Sequence, residues 1–140
     1  MLLPEEELQK LLTGMGLVDE PKIKKLRQFM KDAHTDFEDA LLQMNIISDE
    51  KLGIVVANHL KIPFVSLSKI TIPQDVSHIV PEKIARRKKV IAFERDGSGI
   101  KVAMADPHNQ EIIHMIEQKT LGKVTPYLAT ERDILNTFYI

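Results

Sequence analysis

Five histidines and no cysteine set the range of side-chain chemistry open to this 140-residue chain. Asp106 and His108 stand two residues apart in VAMADPHN, where an extended run gives way to a helical one. A carboxylate orienting an imidazole at such a corner would suit general acid–base work. No serine or cysteine lies nearby in an elbow context, so the pair has no nucleophile to activate. Helix capping explains the same residues: Asp106 as N-cap acceptor and Pro107 at the first helical position, where its missing N–H costs nothing. The segment therefore reads as a corner and not a catalyst. Glu111 and His114, at i and i+3, share a helix face. A Glu-x-x-His pair ligates a dinuclear centre only when a second copy faces it, and the chain has none. No metal or cofactor is expected, and the absence of cysteine removes disulfides, Cys-ligated zinc and thiol catalysis.

Two further clusters invite a chemical reading. Gly97-Ser98-Gly99 precedes a strand, whereas a phosphate loop precedes a helix and carries Gly-Lys-Ser/Thr. A hairpin turn is the better account. Ala85-Arg86-Arg87-Lys88-Lys89 could meet an acidic partner or a phosphate, but charge runs at element ends more often form solvated connectors. The whole chain has 19 Lys and Arg against 20 Asp and Glu. Aromatic residues make up 5%, and there is no Trp. Neither the net charge nor the supply of stacking platforms selects nucleic acid as a partner. Apolar residues at 44% and charged ones at 28% are ordinary globular values for one domain or two small ones. MLLPEEELQKLL lacks the basic n-region and apolar h-region of a signal peptide. No run has the length of a membrane span, so direct membrane insertion is not expected.

The elements that would position these residues fall into two halves, 1–61 and 62–140. Leu8, Leu11, Leu12 and Met15 form one helical stripe, ended by Gly16 as a left-handed cap. Asp19, Glu20 and Pro21 start a second helix, continued by Ile23, Leu26 and Met30. The arrangement recurs 29 residues later. Phe37, Ala40, Leu41 and Met44 take the places of the first stripe, and Asn45-Ile46-Ile47 replaces Gly16-Leu17-Val18. Thr35 with Glu38 forms a capping box for the third helix, and Ser48 caps the fourth. The second half reads as IPFVSL extended, then short helices broken at Pro81, then strands Lys88–Glu94 and Gly99–Ala105 joined by a hairpin. A helix from Pro107 to Leu121 ending at Gly122 follows, then an edge strand containing Pro126, then a last helix TERDILNTFYI opened by Thr130 with Asp133. The fold class is α+β: tandem helical hairpins followed by a small three-stranded sheet with helices packed on one face.

Taken in order, IPFVSL, VPEKIARRKKVIAF, GIKVAMADPHN and TLGKVTPYLATERDI resemble the N-terminal domain of the type II secretion and type IV pilus assembly ATPases. The helical repeat ahead of them fits the same family, so the resemblance covers almost the whole chain; Ala92 departs from it, where proline is frequent. It implies a bacterial, cytoplasmic domain without catalytic activity of its own, a fragment or a stand-alone regulator, recruited to the inner-membrane face by protein–protein contact with the platform protein of a secretion or pilus machine. One branch of that family binds cyclic-di-GMP through two tandem motifs. The apolar positions carry over as Leu8, Leu12 and Val18, then Phe37, Leu41 and Ile47, with Gly16 at the first central glycine. The polar positions do not: Glu7 and Asp36 replace arginine, Gln9 and Glu38 the early glycines, Asn45 the second central glycine, and Met30 and His59 the closing glutamine. Nucleotide binding is therefore not expected. If it occurred, it would fall to Leu8, Leu12, Gly16, Val18, Phe37, Leu41, Asn45 and Ile47. A small enzyme built on Asp106 and His108 is the remaining rival.

Overall fold

A computed structural model describes residues 2–139. Ile140, the last residue of the expected final helix, lies outside the described residues. Contacts divide the chain into Met1–Leu52 and Gly53–Ile140, with the boundary inside the fourth helix.

The first unit is built from α1 (Glu5–Gly14), α2 (Glu20–Ala33), α3 (Phe37–Gln43) and the start of α4 (Asp49–Leu60). The turns of its two hairpins repeat the same backbone bonds. The Leu17 N–H donates to Leu12 O at 3.0 Å, and Ile46 does the same to Leu41 O at 3.0 Å. Gly16 and Asn45 are both left-handed, at φ 76° and 56°, which lets the chain turn back after each first helix. Asp19 Oδ1 accepts from the Lys22 N–H at 3.0 Å, and Ser48 Oγ accepts from the Lys51 N–H at 3.2 Å. The repeat thus extends to the caps of the second helix in each hairpin. Leu8, Leu12, Val18 and Ile23 are buried, as are their counterparts Phe37, Leu41, Ile47 and Leu52. Met15, expected on the buried stripe, is 47% exposed because it follows the last turn of α1 as its C-cap. The third helix is capped one residue later than expected. Asp36 Oδ1 accepts from the Asp39 N–H at 2.8 Å, while the Thr35 hydroxyl donates to the Asp39 carboxylate at 2.9 Å.

The second unit holds a three-stranded mixed sheet in the order β1 (Val90–Asp96), β2 (Gly99–Met104), β3 (Val124–Leu128). β1 and β2 are antiparallel, with a bulge between Ala92 and Glu94, and β2 pairs parallel to β3. IPFVSL contributes a single bridge, Phe64 to Leu128, before a 3₁₀ turn at Leu67–Lys69. Two short helices, α5 (Gln74–Ser77) and α6 (Glu82–Lys88), flank Pro81, as the sequence predicts. α7 (Gln110–Thr120) connects β2 to β3, and α8 (Glu131–Asn136) follows.

Both faces of the sheet are covered, not one. Val90, Ala92, Val102 and Met104 pack with Ile112, Ile113 and Ile116 of α7 and with Val76 and Ala85. Ile91, Phe93 and Ala103 pack with Leu67, Ala129 and Ile134 on the other side. The reason is legible in VIAF, a continuous apolar run where a strand with one wet face would alternate. Gly99 closes the sheet's end: at φ +132°, an added Cβ would sit 2.2 Å from the Lys123 carbonyl oxygen. That oxygen accepts from the Ile100 N–H at 2.8 Å.

Candidate functional site

Each residue singled out for chemistry now has a place. Asp106 Oδ1 accepts from the backbone N–H of His108 at 3.0 Å, and the Asn109 N–H donates to Asp106 O at 3.2 Å. Asp106 shapes a turn, then, and Asn109 is the helix cap, its Oδ1 accepting from Ile112 N–H at 3.3 Å. The expected cap at Asp106 is corrected by three residues, because Pro107 and His108 complete a turn before α7 begins. Asp106 and His108 are both exposed. Glu111 and His114 are exposed on α7, and no group of three metal-ligating side chains occurs among the described residues. α7 ends one residue before the expected glycine: Leu121, 93% exposed, takes the left-handed cap at φ 55°.

Gly97 and Ser98 form the hairpin turn. The Ser98 hydroxyl and then its backbone N–H donate to Asp96, holding that carboxyl below the usual range. In the basic run, two cations are tied to the fold. Arg86 lies 3.5 Å from Glu82 and 5.0 Å from the centre of the Phe138 ring, and Lys89 lies 3.7 Å from Glu131. Arg87 and Lys88 are exposed.

The repeat positions divide by chemistry. Leu8, Leu12, Val18, Phe37, Leu41 and Ile47 are all buried, and Gly16 and Asn45 are the left-handed turns. Exposed Glu7 and Asp36 occupy the positions where the resemblance expects arginine, and Asp36 is engaged as the cap of α3. Burial pushes the Glu38 carboxyl up, and the charges of Asp36, Asp39 and Asp49 push in the same direction.

Sequence reasoning missed a groove of about 290 Å³ between α1 and the start of α2, lined by Gln9, Lys10, Thr13, Glu20 and Ile23. Of the motif positions, Gln9 alone is part of that lining. The only early sign was the mixture of Lys10, Thr13 and Glu20 beside the apolar stripe, and nothing in one helix reveals a groove made by two.

Comparison with known proteins agrees with this architecture. The MshEN domain matches residues 60–138. The type IV pilus assembly ATPase PilB of Myxococcus xanthus is 23% identical over 135 residues, covering 94% of this chain and 24% of that protein. PilB of Thermus thermophilus is 23% identical over 133 residues, with 94% and 15% covered. The chain thus spans about a quarter or less of the curated relatives it matches. Among solved structures, MshE with cdg superposes with a TM-score of 0.69 at 23% identity, covering 94% of this chain and 96% of that one. The N-terminal domain of XpsE gives 0.55 at 12% identity, with 99% and 97% covered. These likenesses establish the shared fold.

Proposed function

This chain belongs to the MshEN domain family, and on that premise we propose that it is a non-catalytic docking and regulatory domain of a type IV pilus assembly or type II secretion ATPase. It acts in the cytoplasm by binding the inner-membrane platform protein of that machine. The observation that carries the reading is the family match through the sheet and its covering helices, in a chain similar along 94% of its length to two PilB ATPases. Asp106 and Asp96 each hold a backbone turn, accepting from the His108 and Ser98 N–H groups. No described helix is long and apolar enough to cross a membrane.

Size-exclusion chromatography of the chain with the cytoplasmic part of the platform protein tests the docking. Co-elution of the two is expected, with no ATP turnover above a heat-denatured control. Separate elution, or measurable turnover, overturns the reading.

The likeness to MshE with cdg favours a second reading, a cyclic-di-GMP receptor. Glu7 and Asp36 weigh against it, since both place negative charge where the ligand's phosphates need cations.

A further inference from the structure

Charge is segregated within the first unit. Residues 1–52 carry eleven Asp and Glu against seven Lys and Arg, a net charge of −4. Acids gather in the first turns of α1, α3 and α4. Five of the seven cations, Lys22, Lys24, Lys25, Arg27 and Lys31, lie on α2, whose only acids are Glu20 and Asp32. All five cations are exposed, while Ile23 and Leu26 are the buried residues of the helix.

The spacing orders them further. Glu20, Lys24, Arg27 and Lys31 stand at i, i+4, i+7 and i+11, which aligns them on one face over about 16 Å of helix. Lys22 and Lys25 fall off that face. The groove formed with α1 is lined by Glu20 and Ile23, so it opens at the N-terminal end of the stripe and brings in Lys10. Asp32 accepts from the Gln28 side chain at 2.9 Å and lies away from the stripe.

We propose that this face of α2, with the groove at its end, docks an acidic helical segment of a partner protein. The partner's carboxylates would face Lys24, Arg27 and Lys31, and a cation would face Glu20. Charge complementarity selects this occupant over a bilayer or a nucleic acid. A continuous anionic surface would meet Glu20 within the stripe and the −4 unit around it, and both repel it. A helix can present separate carboxylates at matching intervals and one cation where Glu20 requires it. This deepens the docking role and rests on it, naming the chemistry of the partner's surface.

The probe is a fluorescein-labelled alanine-based helical peptide bearing three Glu at the stripe's spacing and one terminal Lys. Anisotropy is measured with the full chain at low and physiological salt. Binding that weakens as salt screens the charges is expected. Lys24→Glu/Arg27→Glu/Lys31→Glu should bind at least ~10-fold more weakly, whereas the control Lys22→Glu/Lys25→Glu, which reverses two cations off the stripe, should stay within ~2-fold. A peptide with Lys in place of Glu should bind the triple variant, and an unchanged far-ultraviolet circular dichroism spectrum and melting transition check that the variant is folded. The proposal is overturned if the native chain ignores the acidic peptide, if both variants lose equally, or if phosphatidylglycerol vesicles bind more tightly than the peptide. The readout uses this chain alone. Its failure would remove the α2 face and leave co-elution with the platform protein to be judged separately.

Discussion

Glu38 shows how one side chain can record its surroundings. Its carboxyl is raised above the ordinary 4.5 by burial and by neighbouring carboxylates. The folded state therefore binds its proton more tightly than the unfolded chain does. Stability falls as pH rises from 4.5 through the raised value, and the penalty is fully present at neutral pH. Glu38→Gln should raise the melting temperature at pH 7, with the gap to the native chain closing near pH 4; an unchanged or lower value at pH 7 would remove the argument. Gly99 presents a steric case. Its left-handed φ and the Lys123 oxygen 2.2 Å from an added Cβ both oppose any side chain. Gly99→Ala should lower unfolding stability by roughly 1–3 kcal/mol in a urea titration, the usual scale of such strain.

At the scale of elements, the caps govern where the helices begin. Asp36→Ala should cost about 1 kcal/mol, and Thr35→Ala distinctly less, since Asp36 alone accepts from a first-turn backbone N–H. Thermal melts of the two variants check the order. The sequence contains both possibilities in the run HTDFED: Thr35 precedes Glu38 by three, and Asp36 precedes Asp39 by three. Propensity cannot choose between them, because the choice depends on which residue leaves the helical φ/ψ region. Asp106 and Asn109 pose the same ambiguity. The repeat was easier to read, since burial of Leu8 with Phe37 and Leu12 with Leu41 follows from spacing alone. What stayed illegible needs a second element: the direction of β3, the bulge beside Phe93, and the α1–α2 groove.

For the molecule as a whole, the functional question is which scaffold positions kept ligand chemistry. Leu8, Leu12, Val18, Phe37, Leu41 and Ile47 are buried, while Glu7 and Asp36 are acidic where the resemblance expects arginine. Losing a charge-assisted hydrogen bond costs roughly 1.5–3 kcal/mol, so two such losses weaken a micromolar site by about two to four decades. Isothermal titration with cyclic-di-GMP should show no saturable heat. Saturation in the low micromolar range would move the chain to the receptor reading.

The mixed pairing of the sheet also imposes an order on its assembly. β1 and β2 are joined through Gly97 and Ser98, so their ladder can zip locally. The parallel β2–β3 ladder must wait until residues 105–123 have been laid across, α7 included. The amide of Ile100 belongs to the hairpin strand, yet it donates to Lys123 O. It is a clock for the late step carried on an early element. In pulse-labelled refolding, Ile100 should gain protection after the β1–β2 ladder amides and together with Leu128, whose N–H donates to Pro63 O at 2.8 Å. Simultaneous protection of all of them would mean that the sheet condenses in one event.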